Sequence, residues 1–271
     1  EIAQCLVGSE MCIRDRIIGD IVGSRFERHN CKSTTFDLFT EKSKPTDDTI
    51  MTLAVAEWLT TGLDLGCLLY KWGNAYPKAG YGRLFQNWLS EGKPEELKPY
   101  NSYGNGSGMR VSPCGFFAKS LEETLELAKK SAEITHNHPE GIKGAQAIAS
   151  AIFLSREGWK KDKIKTFIEE TFCYDLSRTC DEIRPDYNFD VSCQGSCPEA
   201  IIAFLDSTDY ESAIRLAISL GGDSDTIACM TGGIAGAYYG VPSNIIEEAL
   251  PYLDKKQLVA IENFKEKCKS R

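Results

Sequence analysis

Two short stretches of the sequence place paired carboxylates and a hydroxyl ahead of a helical pattern. They are Gly221-Gly222-Asp223-Ser224-Asp225-Thr226 and Pro45-Thr46-Asp47-Asp48-Thr49. Apolar residues recur at helical spacing after both stretches, so each acidic pair lies in the first turn of a helix. Carboxylate and hydroxyl oxygens are the ligands that hard divalent cations prefer. The two stretches together predict an all-oxygen cage for Mg²⁺, Mn²⁺ or Ca²⁺.

A single acidic helix start has a simpler interpretation as a helix cap. Asp and Ser are common N-cap residues, and the helix dipole favours Asp in the first turn. The repetition of one design at two distant positions favours the metal interpretation. Two acidic helix starts that packed together would repel each other without cations between them. The metal prediction therefore requires the two stretches to meet in space.

A fifth carboxylate, Glu27, ends an apolar segment that begins at Ile17 and is rich in small residues. Small residues allow such a segment to approach a neighbouring backbone closely, as in a buried helix. Glu27 is then an acid at the end of a buried element. It can equally be a surface residue in the polar run 25–30, and the stretch alone does not decide between the two.

Two polar connections contain candidate ligand-binding residues. The stretch 100–110 is rich in Gly and Asn, and it either offers backbone N–H groups to an anion or is a flexible surface loop. The stretch 135–139 holds His136 and His138, two of the three histidines in the chain. Imidazoles two residues apart in a turn are poor ligands for one metal, so a capping or ligand-contacting role is predicted for them.

Composition excludes several classes of function. The chain has 271 residues, 31 Lys and Arg against 39 Asp and Glu, and a formal net charge of -8, which argues against binding nucleic acid or an anionic membrane. Its 11 cysteines are odd in number and form no pair of CxxC motifs, so we expect buried free thiols and a reducing, cytoplasmic location. No apolar run reaches the length of a membrane span.

The elements that must position these residues are helices. Helical spacing predicts an all-α protein, because few alternating stretches compete with it. We expect residues 1–16 to be an appendage or expression scar, and residues 17–271 to form one domain. Beyond the helices that follow the two acidic stretches, the predicted helices are 65–76, 82–89, 120–134, 141–155, 162–172, 198–205, 211–220, 245–250 and 255–267.

The motifs, taken in order, resemble those of the ADP-ribosylglycohydrolase family, which includes the dinitrogenase-reductase-activating glycohydrolase. The resemblance covers residues 17–242. It rests on the Gly-Asp-Ile-Val-Gly-Ser stretch from Gly19 with Glu27, the Thr46-Asp47-Asp48 stretch, the Gly104-Asn105-Gly106-Ser107-Gly108-Met109-Arg110 loop, the Thr135-His136-Asn137-His138-Pro139 turn and the stretch 221–226.

The resemblance implies a single compact all-α domain with a dinuclear metal centre beneath an ADP-ribose cleft. The two divalent cations are expected to be Mg²⁺, with Mn²⁺ as the alternative. The resemblance also implies metal-dependent hydrolysis at ribose C1″ of ADP-ribosylated proteins or small molecules by a monomer. It assigns the metal ligands to Thr46, Asp47, Asp48, Asp223, Asp225 and Thr226, catalysis to Glu27 and Asp47, and ligand contacts to Gly106, Ser107, Gly108, Met109 and either His136 or His138.

Two other functions compete with this hypothesis. A catalytically silent ADP-ribose-binding or crystallin-like relative would keep the fold without turnover. A metal-dependent nucleotide phosphohydrolase would use a similar acidic cage. The presence of competent residues at every implied metal position favours the glycohydrolase, whereas the leaving group is not predicted by any motif.

Overall fold

A buried helix, α13 (Ser224–Tyr239), lies at the centre of the fold. The computed structural model describes residues 14–91 and 93–271. Helix α13 packs most extensively on α1 (Arg14–Gly23), where small residues bring the two backbones together. A Cβ atom on Gly19 would lie 2.1 Å from the carbonyl oxygen of Ala228, and one on Gly23 would lie 2.5 Å from Cα of Asp225. The closeness of these helices therefore depends on glycine at both positions.

Further helices surround this pair. In chain order the remaining α-helices are α2 (Asp47–Thr61), α3 (Leu65–Ala75), α4 (Arg83–Ser90), α5 (Gly106–Met109), α6 (Ser112–Phe117), α7 (Leu121–Glu133), α8 (Pro139–Arg156), α9 (Lys161–Phe172), α10 (Cys180–Ile183), α11 (Cys193–Asp206), α12 (Tyr210–Ser219), α14 (Ser243–Ala249) and α15 (Lys255–Lys269). Helices α8, α11 and α12 pack on α13, and α2 packs on α3 and on the C-terminal helix α15.

The all-α prediction is confirmed for the described residues. They form no β-strand, and a single isolated bridge pairs Gly104 with Ser192. Most helices lie within a few residues of their predicted bounds, whereas α11 begins at Cys193 rather than at Pro198. Proline often marks the first turn of a helix, but the Ser192 hydroxyl accepts a hydrogen bond from Gly195 N and caps the helix earlier.

The first helix begins before the predicted domain start at Ile17. Helix α1 starts at Arg14, and the fully buried Arg16 donates hydrogen bonds to Cys229 Sγ at 3.0 Å and Gly108 O at 3.1 Å. Arg16 thus packs inside the helical domain rather than with an appendage. The rest of that predicted appendage, residues 1–13, lies outside the described residues.

Other sequence expectations concern the membrane and the thiols. Within the described ranges, every helix is too short or too polar to cross a bilayer. The cysteines of those ranges form no disulfide, and most of them are buried. They therefore serve mainly as small core residues.

Candidate metal centre and active-site cleft

The two acidic helix starts meet at one point of the molecule. Thr46 caps α2, and its hydroxyl accepts a hydrogen bond from Asp48 N at 3.3 Å. The hydroxyl of Thr226, on α13, donates to Asp48 Oδ2 at 3.1 Å. Asp225 lies one residue before Thr226 and is buried, as Asp48 is. The arrangement that the metal prediction requires is therefore present.

The approach to α13 is a turn that only glycine adopts readily. Gly221 and Gly222 have φ values of 76° and 68°, in the left-handed region where a side chain is disfavoured. These two residues reverse the chain after α12, so that Asp223 enters the site at the start of α13. The two-glycine signal in the sequence is thus explained by backbone geometry.

A third carboxylate, Asp20 on α1, joins the centre and was missed by the sequence analysis. Asp20 is fully buried and accepts hydrogen bonds from Thr46 N at 2.9 Å, Thr46 Oγ1 at 2.7 Å and Thr49 N at 3.1 Å, and also from Thr49 Oγ1. Oxygen atoms of Asp20, Asp48 and Asp225 all lie within 4.8 Å of one another. Three helices therefore supply one carboxylate cluster.

The cluster is electrostatically unfavourable without a counter-charge. Burial, and then the charges of neighbouring aspartates, raise the pKa of Asp48 and of Asp225 well above the ordinary value. Burial also raises the pKa of Asp20, which its four hydrogen bonds oppose. Asp48 Oδ1 is buried and has no hydrogen-bond partner in the described protein. A buried oxygen left unpaired beside two other carboxylates fits a site that coordinates a cation.

Two further predicted ligands border the cluster. Asp47 is partly exposed to the cleft, and burial, followed by the charge of Asp20, raises its pKa to about 8. Asp223 is buried and accepts a hydrogen bond from Asn105 Nδ2 at 2.7 Å. Asn105 thus fixes the orientation of a candidate metal ligand. Its sequence context predicted only a loop residue.

Glu27 lies beyond the end of α1, in the turn that follows Gly23. Its side chain is 33% exposed and lies 4.0 Å from Arg28 Nε. The predicted buried helix therefore ends before Glu27, and this residue reaches the cleft from a non-helical segment. Glu27 is thus partly exposed and lines the same cleft as Asp48 and Asp225.

A cleft of about 520 Å³ opens above the carboxylates. Its size is in the range of small-molecule sites, which generally combine apolar walls with a few polar groups. Its apolar lining includes Tyr81 and Phe85, together with Phe189 and Val191 from the connection before α11. Its polar lining includes Glu27, Thr46, Asp47, Asp48, Asp223, Asp225, Thr226, Asn105, Arg110 and His136.

Residues 106–109 of the glycine-rich stretch form the short helix α5, whereas residues 100–105 form no helix. Gly106 and Met109 line the cleft, whereas Ser107 and Gly108 are buried in the protein interior. The Ser107 hydroxyl donates to Gly141 O at 2.7 Å. A Cβ atom on Gly108 would lie 3.0 Å from Met230 Sδ. The four predicted ligand-contacting residues thus divide into two that face the cleft and two that pack beneath it.

The two histidines have different surroundings. His136 is buried at the cleft, and burial and the positive charge of Arg110 lower its pKa well below the ordinary value, so its imidazole is neutral at pH 7. His138 is the N-cap of α8, where its Nδ1 accepts a hydrogen bond from Glu140 N at 3.1 Å. The structure thus places one histidine at the cleft and the other at a helix start.

The residues that sequence reasoning missed carried weak local signals. Asp20 is a lone acid inside the apolar run 17–22, which is unusual for a buried helix. Asn105 stands between two glycines and is typical of an ordinary turn. Their roles depend on Thr46 and Asp223, respectively, which lie far from them in the sequence.

The sequence model of one family, described as ADP-ribosylglycohydrolase, matches residues 16–268. The chain therefore belongs to the ADP-ribosylglycohydrolase family and is a glycosyl-bond hydrolase. The family predicted from the motifs is thereby confirmed.

Particular relatives carry more specific names. The human protein named ADP-ribosylhydrolase ARH3 is 27% identical over 307 residues, an alignment that covers 85% of each chain. The protein named ADP-ribosylarginine hydrolase Tri1 from Serratia proteamaculans (strain 568) is 28% identical over 244 residues, which cover 78% of this chain and 62% of the relative. A solved structure titled ADP-ribosylglycohydrolase-related protein complex superposes with a TM-score of 0.68 at 22% identity, covering 97% of this chain and 96% of that one, and supports the fold.

Proposed function

We propose that the protein releases free ADP-ribose by divalent-metal-dependent hydrolysis of the glycosidic bond at ribose C1″. The observation that carries this proposal is the convergence of Asp20, Asp48 and Asp225 from three helices. Asp48 and Asp225 line the same cleft as Glu27. A buried carboxylate cluster beside an accessible acid is suited to glycosidic hydrolysis assisted by metal ions.

The metal ligands in this proposal come from both acidic helix starts. Thr46, Asp47, Asp48, Asp223, Asp225 and Thr226 are proposed to hold two divalent cations, Mg²⁺ or Mn²⁺. Asp20 either joins them or orients Thr46 and Thr49 through its hydrogen bonds. Hard cations of this kind supply charge that stabilises ribose hydroxyl oxygens and an attacking water as the bond breaks.

Glu27 is proposed to move the proton that the reaction requires. It is a partly exposed carboxylate of the cleft that lies outside the buried cluster, so it can protonate the leaving group or accept a proton from water. Asp47 is the second accessible carboxylate of the cleft, and we propose that it assists as well as binding metal. Its partial exposure gives it access to the substrate side of the site.

The part of the cleft lined by Gly106, Arg110 and His136 is proposed to bind the ADP portion. The Thr135 hydroxyl accepts a hydrogen bond from Arg110 Nη2 at 2.8 Å and contacts His136 Nδ1 at 2.7 Å. Donation of the hydroxyl proton to Nδ1 leaves the hydrogen on Nε2, which points toward Gly106. A neutral donor beside Gly106 and the start of α5 suits the oxygen atoms of a diphosphate.

The leaving group is best determined by direct comparison of substrates. ADP-ribosyl-arginine, ADP-ribosyl-serine and O-acetyl-ADP-ribose are incubated with the protein in Mg²⁺, Mn²⁺ or chelator, and the products are separated chromatographically. The proposal predicts metal-dependent formation of free ADP-ribose from at least one of them. Phosphate or AMP as the product would instead indicate a phosphohydrolase, and ADP-ribose binding without turnover would indicate a silent relative.

A further inference from the structure

We propose that Asn30 is a positioning residue that fixes the position of Glu27 relative to the start of α13, where the proposed metal ligands lie. This inference rests on the proposed function, because it states that Asn30 sets the distance between Glu27, the proposed proton-transfer group, and the proposed metal ligands. Asn30 belongs to no motif that the sequence analysis singled out. Its side chain joins two segments that lie about 190 residues apart in the chain.

The hydrogen bonds of Asn30 connect the backbone around Glu27 to the two-glycine turn. Its Oδ1 accepts from Gly222 N at 2.8 Å, and its Nδ2 donates to Gly222 O at 3.0 Å. The same Nδ2 lies 2.9 Å from Phe26 O and 3.2 Å from Glu27 O. The two amide hydrogens are therefore shared among three carbonyl oxygens. The planar Asn30 side chain thus forms hydrogen bonds with both the N–H and the carbonyl group of Gly222, and also with the carbonyl of Glu27.

The local backbone explains why such a connection is needed. Glu27 lies outside α1, so the packing of α1 on α13 does not by itself fix the position of its side chain. Gly222 immediately precedes Asp223 and has a positive φ. A Cβ atom on Gly221 would approach Asn30 Oδ1 to 3.0 Å, so glycine at this position also leaves room for the asparagine. The side chain of Asn30 therefore packs closely against the turn at Gly221 and Gly222.

A neighbouring lysine, Lys32, also donates hydrogen bonds to the backbone close to this turn. Lys32 Nζ donates to Leu220 O at 2.5 Å, and also to Arg184 O and Tyr187 O, each at 2.8 Å. The backbone ahead of Asp223 is thus hydrogen-bonded to the segment 27–32 at two positions, Leu220 and Gly222. Of the two side chains, only Asn30 also bonds the Glu27 carbonyl.

Loss of Asn30 should affect Glu27 more than the metal ligands. Asp223 keeps its own hydrogen bond from Asn105, and Asp225 lies within the first turn of α13. Metal binding should therefore persist when Asn30 is removed. Displacement of a catalytic group by about 1 Å can cost about a hundredfold in rate. We expect the rate of the bound complex to fall while ligand affinities change little.

The test compares Asn30→Ala and Asn30→Asp with the wild-type protein. The aspartate has nearly the same shape but places a carboxylate against three carbonyl oxygens, so we expect Asn30→Asp to be the slower variant. A role in packing alone predicts the reverse order, because aspartate fills the same space. Asn74→Ala and Asn74→Asp are matched controls, since Asn74 is exposed and its Nδ2 donates to Tyr70 O at 3.0 Å.

The expected result is a fall of about tenfold or more in kcat for Asn30→Ala, with Mg²⁺ and ADP-ribose affinities within about threefold of wild type. The Asn74 variants should match the wild type. A parallel loss of metal affinity and kcat would overturn the assignment and make Asn30 a support of the metal site. Unchanged kcat in both Asn30 variants would also overturn it.

A second measurement does not depend on turnover. Amide hydrogen exchange at Gly222 and within residues 26–30 should accelerate in Asn30→Ala, because both segments lose their shared partner. Unchanged exchange would overturn the inference even if the wild-type protein hydrolysed no ADP-ribosyl substrate. Wild-type turnover tests the proposed function separately, so the two failures are distinguishable.

Discussion

At the scale of single residues, the site depends on carboxylates that destabilise one another unless cations neutralise them. Asp48 and Asp225 are buried at the centre, and burial, followed by repulsion from neighbouring carboxylates, raises the pKa of each. Replacement of one carboxylate by an amide removes a metal ligand and also removes part of that repulsion. Activity and metal-free stability should therefore respond in opposite directions.

We predict that Asp225→Asn lowers metal-dependent ADP-ribose release at least about a hundredfold, while the metal-free protein melts at the same temperature as wild type or higher. Steady-state kinetics and calorimetry in chelator measure the two effects. Asp162→Asn is the control, because Asp162 occupies the same second position of helix α9 but is exposed. Full turnover of Asp225→Asn in chelator would contradict the metal assignment.

For Glu27→Gln, we predict nearly unchanged affinity for Mg²⁺ and ADP-ribose and a fall in kcat of about a hundredfold or more, as expected when a general acid or base is lost. Titration calorimetry separates binding from rate. The exposed Glu170→Gln serves as the charge-matched control. Weakened ligand binding with little change in kcat would assign Glu27 to binding rather than to proton transfer.

Residue types and spacing predicted the aspartates of both helix starts, but not every partner. Asp20 could not be assigned from its own surroundings, because its hydrogen bonds to Thr46 and Thr49 exist only after α1 packs on α2. His136 and His138 were indistinguishable for the same reason. Their difference arises because α8 begins at His138, which directs its ring to its own helix.

At the scale of elements, the close packing of α1 on α13 places Asp20 and Asp225 in one cluster. Gly19 and Gly23 leave no room for a side chain against α13. The helices themselves were predictable, since each acidic stretch is followed by a clear apolar period and Gly62 ends α2. Their contacts were not, because helical spacing does not specify which helix lies opposite.

We predict that Gly19→Ala destabilises the protein by about 1–3 kcal/mol or more, because the added methyl group must displace the backbone at Ala228. Urea unfolding in the presence of Mg²⁺ measures the change in free energy. Gly82→Ala is the control, since a Cβ atom there would meet nothing within 4 Å and the φ of Gly82 is -61°. Equal stability of the two variants would contradict the packing argument.

At the scale of the whole molecule, the acidic cluster links stability to pH and to metal. The pKa of Asp47 is raised from the ordinary 3.8 to about 8, and those of Asp48 and Asp225 are raised well above 3.8. Between the ordinary aspartate pKa of 3.8 and about pH 8, the folded protein therefore binds more protons than the unfolded chain. By linkage, its free energy of unfolding decreases as pH rises.

We predict that the melting temperature of the metal-free protein falls between about pH 4 and pH 8, and that saturating Mg²⁺ raises it most at the upper end, where cations replace protons. Calorimetry across this pH range in chelator and in Mg²⁺ measures both effects. Asp225→Asn should show a flatter dependence in chelator. An equal Mg²⁺ effect at every pH would contradict a cation site formed by these carboxylates.

The most direct measurement is a crystal structure of the wild-type protein grown with Mn²⁺, with diffraction data collected for anomalous scattering. The account predicts two anomalous peaks between the start of α2 and the start of α13, within coordination distance of Asp48 and Asp225 and facing the cleft that Glu27 lines. Absence of any peak between these helix starts, in protein that still releases ADP-ribose, would contradict the central claim.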